Sequence, residues 1–118
     1  MSSMTPEASE PTRMIEMVFP EHCNHYGTLF GGHALRMMDL AAFVAATRFT
    51  RRKVVTRATN NVEFRSPVKH GQLAEVTASV TATGTTSVTV TVELVAEELL
   101  TGERSACAQG TFVFVIQP

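Results

Sequence analysis

The sequence predicts an α+β domain in which one long helix packs against a five-stranded antiparallel sheet. The first observation is an apolar run at residues 28–47 that contains a single acid, Asp39. The second is the change of period after this run, because apolar residues then recur at every second position in four segments separated by turn signals. Segments joined by short turns pair antiparallel, and a sheet with one apolar face packs that face on a helix.

The first strand is predicted at residues 13–19, and it ends at Pro20. Residues 1–12 contain Ser, Pro and Glu without a basic flank or an apolar core, so they do not resemble a signal peptide. We expect residues 1–12 to be a disordered tail and residues 13–118 to form one domain.

The helix at residues 28–47 is apolar nearly all round, which predicts burial on several sides. The basic residues at 48–53 suit the negative end of the helix dipole. One five-stranded sheet does not cover such a helix completely. A second subunit would cover the rest, so the sequence favours a homodimer.

The remaining four strands are predicted around residues 53–65, 76–82, 88–94 and 104–116. Turn signals separate them at residues 66–71, 84–86 and 101–103. In the second and third of these strands, valine, alanine and leucine alternate with polar residues. The face turned away from the helix would therefore present Thr77, Ser79, Thr81, Thr89 and Thr91.

Composition excludes several classes of function. The net charge is −1, which gives no basic excess for nucleic acid. No run approaches the ~18 apolar residues of a membrane span, so we expect no membrane insertion. Cys23 and Cys107 fit neither a disulfide framework nor a spaced metal site, and two free thiols in the cytoplasm are the expectation. A nucleophilic Cys23 between His22 and His25 is the alternative.

Gly31 and Gly32 lie where the helix is expected to begin, and a helix N-terminus carries free N–H groups and a partial positive charge. Glycine there lets a ligand approach the backbone, which suits an oxyanion hole for a carbonyl. The alternative is a turn that requires positive φ. Asn24 would orient a water or hold the carbonyl, or else serve as a simple turn residue.

Asp39 follows Gly32 by seven residues, so both face one side of the helix about 10 Å apart along the axis. That distance is too long for both to act on one carbonyl within one chain. If two helices pack antiparallel about a two-fold axis, Asp39 of one chain lies opposite Gly32 of its mate. Asp39 would then act as general base or nucleophile. The alternative is an ion pair with Arg36 or Arg48, or an exposed helical turn.

The spacing of His22, His25 and His33 matches no zinc signature, so no metal site is expected. The chain has no dinucleotide-binding, P-loop or serine-hydrolase motif either.

Three ordered segments carry a recognisable pattern. The first is residues 20–39, with Asn24-x-x-Gly27-x-x-x-Gly31-Gly32 and then Met37-Met38-Asp39. The others are VEFRSPV at residues 62–68 with Gly71, and GTTSV at residues 84–88. Together they resemble the hotdog-fold acyl-CoA thioesterases, and within that family the YciA-like and brain-type acyl-CoA hydrolases. The resemblance covers residues 13–116.

The resemblance implies a dimer with a continuous ten-stranded sheet, assembled further into tetramers or hexamers. It implies that Asp39 is the catalytic carboxylate, working across the dimer interface with Asn24. The backbone amides of Gly32 and His33 would polarise the thioester carbonyl. Coenzyme A enters as part of the substrate, and no cofactor is implied. Contacts to it are expected from Gly31, Arg57, Asn61, Arg65, Ser66, Thr85, Thr86 and Ser87.

One departure concerns the nucleotide end of coenzyme A, since Gln72 stands where the family often has an aspartate. Two other functions stay open. One is a hotdog enoyl-CoA hydratase or dehydratase, although such enzymes usually pair an aspartate with a histidine at the start of the helix. The other is an acyl-CoA-binding module without turnover.

Overall fold

The computed structural model describes residues 9–118, so the predicted tail lies outside the described residues up to position 8. The elements are β1 (Thr12–Met17), α1 (Gly31–Thr50), β2 (Val54–Phe64), β3 (Leu73–Thr83), β4 (Ser87–Glu97) and β5 (Arg104–Ile116), with a short 3₁₀ turn at Pro20–His22. The five strands form one antiparallel sheet in the order β1-β3-β4-β5-β2. The predicted helix and five-stranded antiparallel sheet are confirmed. Strand β2 does not pair with β3, the strand that follows it, but lies at the far edge beside β5.

Helix α1 begins and ends three residues later than the sequence predicted. Thr28 and Leu29 do not enter the helix because they bridge to the segment before β3, where the Leu29 N–H donates to the Val68 carbonyl at 2.8 Å. At the other end, the Thr50 hydroxyl donates to the Ala46 carbonyl at 2.9 Å, and Arg51 closes the helix in the left-handed region with φ 55°. Strand β1 begins at Thr12, one residue earlier than expected.

The core lies between α1 and the inner face of the sheet. Strict alternation in β3 and β4 sends alanine, valine and leucine inward, while β5 contributes the fully buried Phe112 and Phe114. Met37 and Met38 of α1 pack into the same core, 5% and 0% exposed. Burial on this scale supplies the main favourable free energy of folding.

The outer face of the sheet is polar, as predicted. The hydroxyls of Thr81 and Thr91 lie 3.1 Å apart across β3 and β4. Arg104 of β5 bonds Glu97 on the neighbouring strand β4 and Glu75 on β3, one strand further across the sheet. These hydrogen bonds, that to Glu75 first, raise the pKa of Arg104 above its ordinary value.

One side of α1 remains open within the single chain. Leu40 and Phe43 are 42% and 41% exposed, although the apolar composition predicted burial on several sides. Strand β2, the edge next to this side, is exposed at most positions beyond Val54. The single chain thus leaves an apolar helix side and an unpaired strand edge next to each other.

Candidate active site

The start of α1 presents free backbone donors. The first intrahelical bond at this end is made by the Ala34 N–H to the Phe30 carbonyl at 3.0 Å, so the N–H groups of Gly31, Gly32 and His33 have no carbonyl within the helix to accept them. No side chain caps this end. The positions are suited to an anion or a polarised carbonyl oxygen.

Space, rather than backbone conformation, explains the paired glycines. Gly31 and Gly32 are the first two helical residues and neither has positive φ, so the alternative of a strained turn is wrong. A Cβ added to Gly32 would meet nothing within 4 Å, and one added to Gly31 would meet Phe64 only at 3.9 Å. The room above Gly32 is therefore open to a ligand or to another subunit.

Asp39 shares one cavity with Gly32. The cavity has a volume of about 350 Å³, and its lining includes Leu35, Arg36, Thr59 and Phe112. The Thr56 hydroxyl, on β2, donates to Asp39 Oδ1 at 3.2 Å. The seven-residue spacing predicted this common face of the helix, and the structure places both residues on it.

Of the structural roles considered for Asp39, the ion pair is not observed. Within residues 9–118, no ion pair joins Asp39 to Arg36 or Arg48. The Arg48 guanidinium donates instead to the Thr12 hydroxyl at 3.0 Å. Asp39 is half-buried, and the bond from Thr56 engages one of its two carboxylate oxygens.

Asn24 organises the loop before the helix. Its Oδ1 accepts from the Tyr26 N–H at 3.0 Å, from the Thr28 N–H at 3.2 Å and from the Thr28 hydroxyl at 3.1 Å. The turn role considered for Asn24 is therefore confirmed, and the Nδ2 group is left as the donor for any further partner. Asn24 does not line the Asp39 cavity of the same chain.

A second cavity lies beside the start of α1. It measures about 320 Å³, and Gly31, Phe64, Arg65, Ser66 and Cys107 contribute to its walls. The backbone N–H groups of Arg65 and Ser66 both donate to the Cys107 carbonyl, which fixes this loop to β5. Three residues expected near coenzyme A, Gly31, Arg65 and Ser66, are thus brought together.

The other expected contacts lie at the far end of the sheet. Ser87 pairs with Val115 on β5, whereas Phe64, next to Arg65, pairs with Ala108. Seven strand residues correspond to about 24 Å. Thr85 and Thr86, in the turn before β4, therefore lie far from Arg65 and Ser66 within one chain.

Arg57 and Asn61 occupy irregular points of β2. Register shifts against β5 fall between Thr56 and Ala58 and between Asn60 and Glu63, so both residues lie at bulges. Asn61 has φ 53°, a conformation that asparagine tolerates better than most residues. Bulges turn both exposed side chains away from the regular pleat.

The His33 side chain points away from the Asp39 cavity. Its Nε2 lies 2.8 Å from Glu16 Oε1, and its ring stacks on His22 with centroids 4.2 Å apart. His25 is exposed and packs against Tyr26 instead. The backbone of His33 therefore serves the helix N-terminus while its side chain belongs to a separate cluster.

Two contacts of the site were missed by the sequence analysis, Thr56 with Asp39 and Glu16 with His33. Thr56 is one of several threonines in an alternating strand, and nothing in that pattern distinguishes it. Glu16 had a signal, since it falls between Met14 and Val18 at an inward position of β1, where an acid needs a partner.

The chain belongs to the Thioesterase superfamily, which matches residues 26–103, more than half of the sequence. Its single long helix on a five-stranded antiparallel sheet is the hotdog fold, shared with acyl-CoA hydrolases of known structure.

Particular relatives agree with this assignment. An uncharacterized acyl-CoA thioester hydrolase of Bacillus subtilis, YkhA, is 37% identical over 83% of this chain and 57% of its own length. An apo hexameric acyl-CoA thioesterase of known structure is 34% identical, with TM-score 0.89 over 92% of this chain and 69% of the other.

An acyl-CoA hydrolase from Staphylococcus aureus, solved with butyryl coenzyme A, coenzyme A and coenzyme A disulfide, is 29% identical, with TM-score 0.87 over 92% of this chain and 66% of the other. Variants of that enzyme with an aspartate, an asparagine or a threonine replaced by alanine have also been solved.

The chain spans about half the length of the first curated relatives it matches. Within residues 9–118, no helix combines the length and the apolar character that crossing a bilayer demands.

Proposed function

We propose that the protein hydrolyses acyl-CoA thioesters, with water adding to the thioester carbonyl and the C–S bond breaking to release a carboxylic acid and free coenzyme A. The observation that carries this proposal is one face of α1 with uncapped backbone donors at Gly32 and, two turns later, the Asp39 carboxylate. A second, antiparallel copy of the helix would bring the donors of one chain to the carboxylate of the other. Donors of this kind stabilise the oxyanion that forms on the carbonyl.

Asp39 has two possible roles in this reaction. As general base it would take a proton from the attacking water, and as nucleophile it would form an acyl-enzyme anhydride that water then hydrolyses. In both cases the bond from Thr56 orients the carboxylate. The leaving thiolate takes up a proton to give the free thiol.

Residue spacing in the S. aureus enzyme supports the assignment. The asparagine, aspartate and threonine replaced there follow one another at intervals of 15 and 17 residues. The same intervals separate Asn24, Asp39 and Thr56 in this chain. These three side chains are therefore the catalytic candidates, with the N–H groups of Gly32 and His33.

The site is proposed to be shared between two subunits. Asn24 does not reach the Asp39 cavity of its own chain, and the exposed side of α1 next to the β2 edge offers the surface for a second copy. Pairing of two β2 edges would give the ten-stranded sheet, and further assembly into a tetramer or hexamer is proposed from the hexameric relative.

Coenzyme A is proposed to contact both ends of the sheet through different subunits. Gly31, Arg65 and Ser66 would face the substrate near the carbonyl. Arg57, Asn61, Thr85, Thr86 and Ser87, at the bulges and the far turn, would meet its more distant parts. A cytoplasmic location is proposed because Cys23 and Cys107 are both free thiols.

The assignment is tested by thiol release from short, medium, long and aryl acyl-CoA thioesters. Asp39→Asn keeps the shape of the side chain and removes its basicity, so kcat should fall about 10²–10⁴-fold. Glu103→Gln, in the exposed β4–β5 turn, is the matched control and should leave the rate unchanged. Full activity in Asp39→Asn would overturn the proposed role of Asp39.

Thiol release also distinguishes a hydrolase from a hydratase and from a binding module. A hydratase would change the absorbance of an enoyl-CoA without releasing thiol. The structure gives less support to a hydratase, because the only histidine at the start of α1 contacts Glu16 rather than Asp39. Tight binding of acyl-CoA without turnover of any thioester would identify a binding module instead.

A further inference from the structure

Three side chains from three different elements converge beside the start of α1, on a different side of the helix from Asp39 of the same chain. They are Glu16 of β1, His22 of the 3₁₀ turn and His33 of α1, and one potential ligand atom from each lies within 4.8 Å of the other two. His33 and Asp39 are six residues apart, so their side chains leave the helix about 120° apart. The cluster is therefore separate from the catalytic carboxylate.

The cluster is partly preassembled. Glu16 Oε1 and His33 Nε2 are already 2.8 Å apart, and the His22 ring lies nearly parallel to the His33 ring, with an angle of 16° between the planes. The side chains of His33 and Glu16 are 17% and 42% exposed, so a small ion can enter from solvent.

His22 has unused bonding capacity. Its Nδ1 is buried and finds no hydrogen-bond partner within residues 9–118. A buried polar atom without a partner is unfavourable by roughly 1–3 kcal/mol, so the ring gains from any partner that its nitrogens can reach. The backbone at this point is fixed, since the His22 carbonyl accepts from the Phe30 N–H at 3.0 Å.

The donor set selects the kind of ion. Two imidazoles and one carboxylate are ligands that Zn²⁺ prefers, and three protein ligands leave a fourth position for water. Zinc bonds of about 2.0–2.2 Å draw the three ligand atoms closer than 4.8 Å. The two rings must tilt out of their parallel stack so that both lone pairs point at one ion.

We propose that Glu16, His22 and His33 form a Zn²⁺ site that ties β1, the 3₁₀ turn and the N-terminus of α1 together. The ion would take the place of the direct contact between Glu16 Oε1 and His33 Nε2. This site does not depend on the proposed hydrolytic activity.

The test uses the full chain without a polyhistidine tag, titrated with Zn²⁺ by calorimetry and with Co²⁺ by visible spectroscopy. The expected result is one ion per chain, with the intense d–d absorption of low-coordinate Co²⁺ and no thiolate charge-transfer band. Zn²⁺ in excess should also raise the thermal midpoint by about 5 °C or more, since a ligand that binds only the folded state stabilises it.

His22→Asn is the leading variant because position 22 lies outside the helix and the strands, and it should weaken Zn²⁺ binding at least tenfold. Glu16→Gln and His33→Asn should do the same. His25→Asn, in the same loop but outside the cluster, and Cys23→Ser, which removes the neighbouring thiol, are the controls and should bind as the unmodified chain does.

Equal Zn²⁺ binding by His22→Asn and His25→Asn would overturn the proposal, as would loss of binding in Cys23→Ser. Absence of stoichiometric binding to the unmodified chain would overturn it directly. Circular dichroism without metal establishes whether each variant is folded. If Glu16→Gln does not fold, Glu16→Asp, which keeps the carboxylate, replaces it in the comparison.

Discussion

Asp39 and Thr56 meet because the helix and the edge strand that follows it run side by side. The hydroxyl of Thr56 donates to Asp39 Oδ1 at 3.2 Å, and both residues line the cavity beside Gly32. Holding a reacting group in one orientation lowers the entropic part of the activation free energy.

Replacing Thr56 by valine removes the hydroxyl and keeps the branched shape. We expect kcat for thioester hydrolysis to fall about tenfold, which corresponds to about 1.4 kcal/mol, with little change in KM. Steady-state thiol release measures the effect. Thr77→Val, on the outer face of β3, removes a hydroxyl far from the cavity, and an equal loss in both variants would rule out a positioning role for Thr56.

Single residues of the site differ in how far the sequence could predict them. Gly32 and Asp39 were predictable because helical periodicity alone puts them on one face. Thr56 was not, since its contact depends on how β2 lies beside the helix. The cluster of His22 and His33 was not either, because its third member, Glu16, comes from a strand on the other side of the loop.

At the scale of elements, helix α1 begins with residues that are unfavourable in a helix. Glycine weakens a helix relative to alanine by roughly 0.5–1 kcal/mol, yet two glycines occupy its first positions. Neither is required by φ or by packing within the chain. The open approach to the backbone N–H groups is the property that glycine supplies here.

Gly32→Ala should therefore separate stability from activity. We expect an unchanged or higher free energy of unfolding in urea, and a fall of about tenfold to hundredfold in kcat/KM because the methyl group stands where the carbonyl approaches. A variant that hydrolyses acyl-CoA at the normal rate would contradict an oxyanion hole at this position.

Gly110 of β5, unlike Gly32, lies where a side chain would not fit. A Cβ there would lie 2.9 Å from Val62 Cγ2 and 3.4 Å from Val62 Cα, at the bulge of β2. Gly110→Ala should lower the free energy of unfolding by about 1–3 kcal/mol, measured by urea denaturation beside Gly32→Ala. Equal stability of the two variants would show that β2 moves away at little cost.

Element type was predictable from period, whereas element ends were not. The change from an apolar run to alternation gave the helix and all four following strands. The helix start was misplaced because Thr28 and Leu29 bond to the segment before β3, a contact between residues about forty positions apart. Local patterns carry no information about such bonds.

At the scale of the whole molecule, we propose that one chain supplies halves of two different sites. Asp39 and Thr56 lie at one cavity, and Asn24 lies in the loop that would serve the other subunit. The proposed division is supported by the spacing of Gly32 and Asp39 along the helix and by the absence of Asn24 from the cavity that Asp39 lines.

Mixing two inactive variants tests the division. Asp39→Ala and Asn24→Ala should each be nearly inactive, but after unfolding and refolding together, half of the dimers are mixed and each carries one intact site, which restores about a quarter of the normal activity. Sedimentation of each sample reports the assembly state. No recovery from refolded dimers, or a strictly monomeric active protein, would contradict a shared site.

The bulges of β2 also affect how easily strands of other chains can add to this edge of the sheet. An exposed edge strand of eleven residues is a template onto which other chains can add strands without limit. Here the register breaks after Thr56 and again after Asn60, so an incoming strand finds no long regular row of backbone donors and acceptors. We therefore expect the edge to pair with a strand that has the same irregularities, such as β2 of a second copy, and to be a poor template for a fibril.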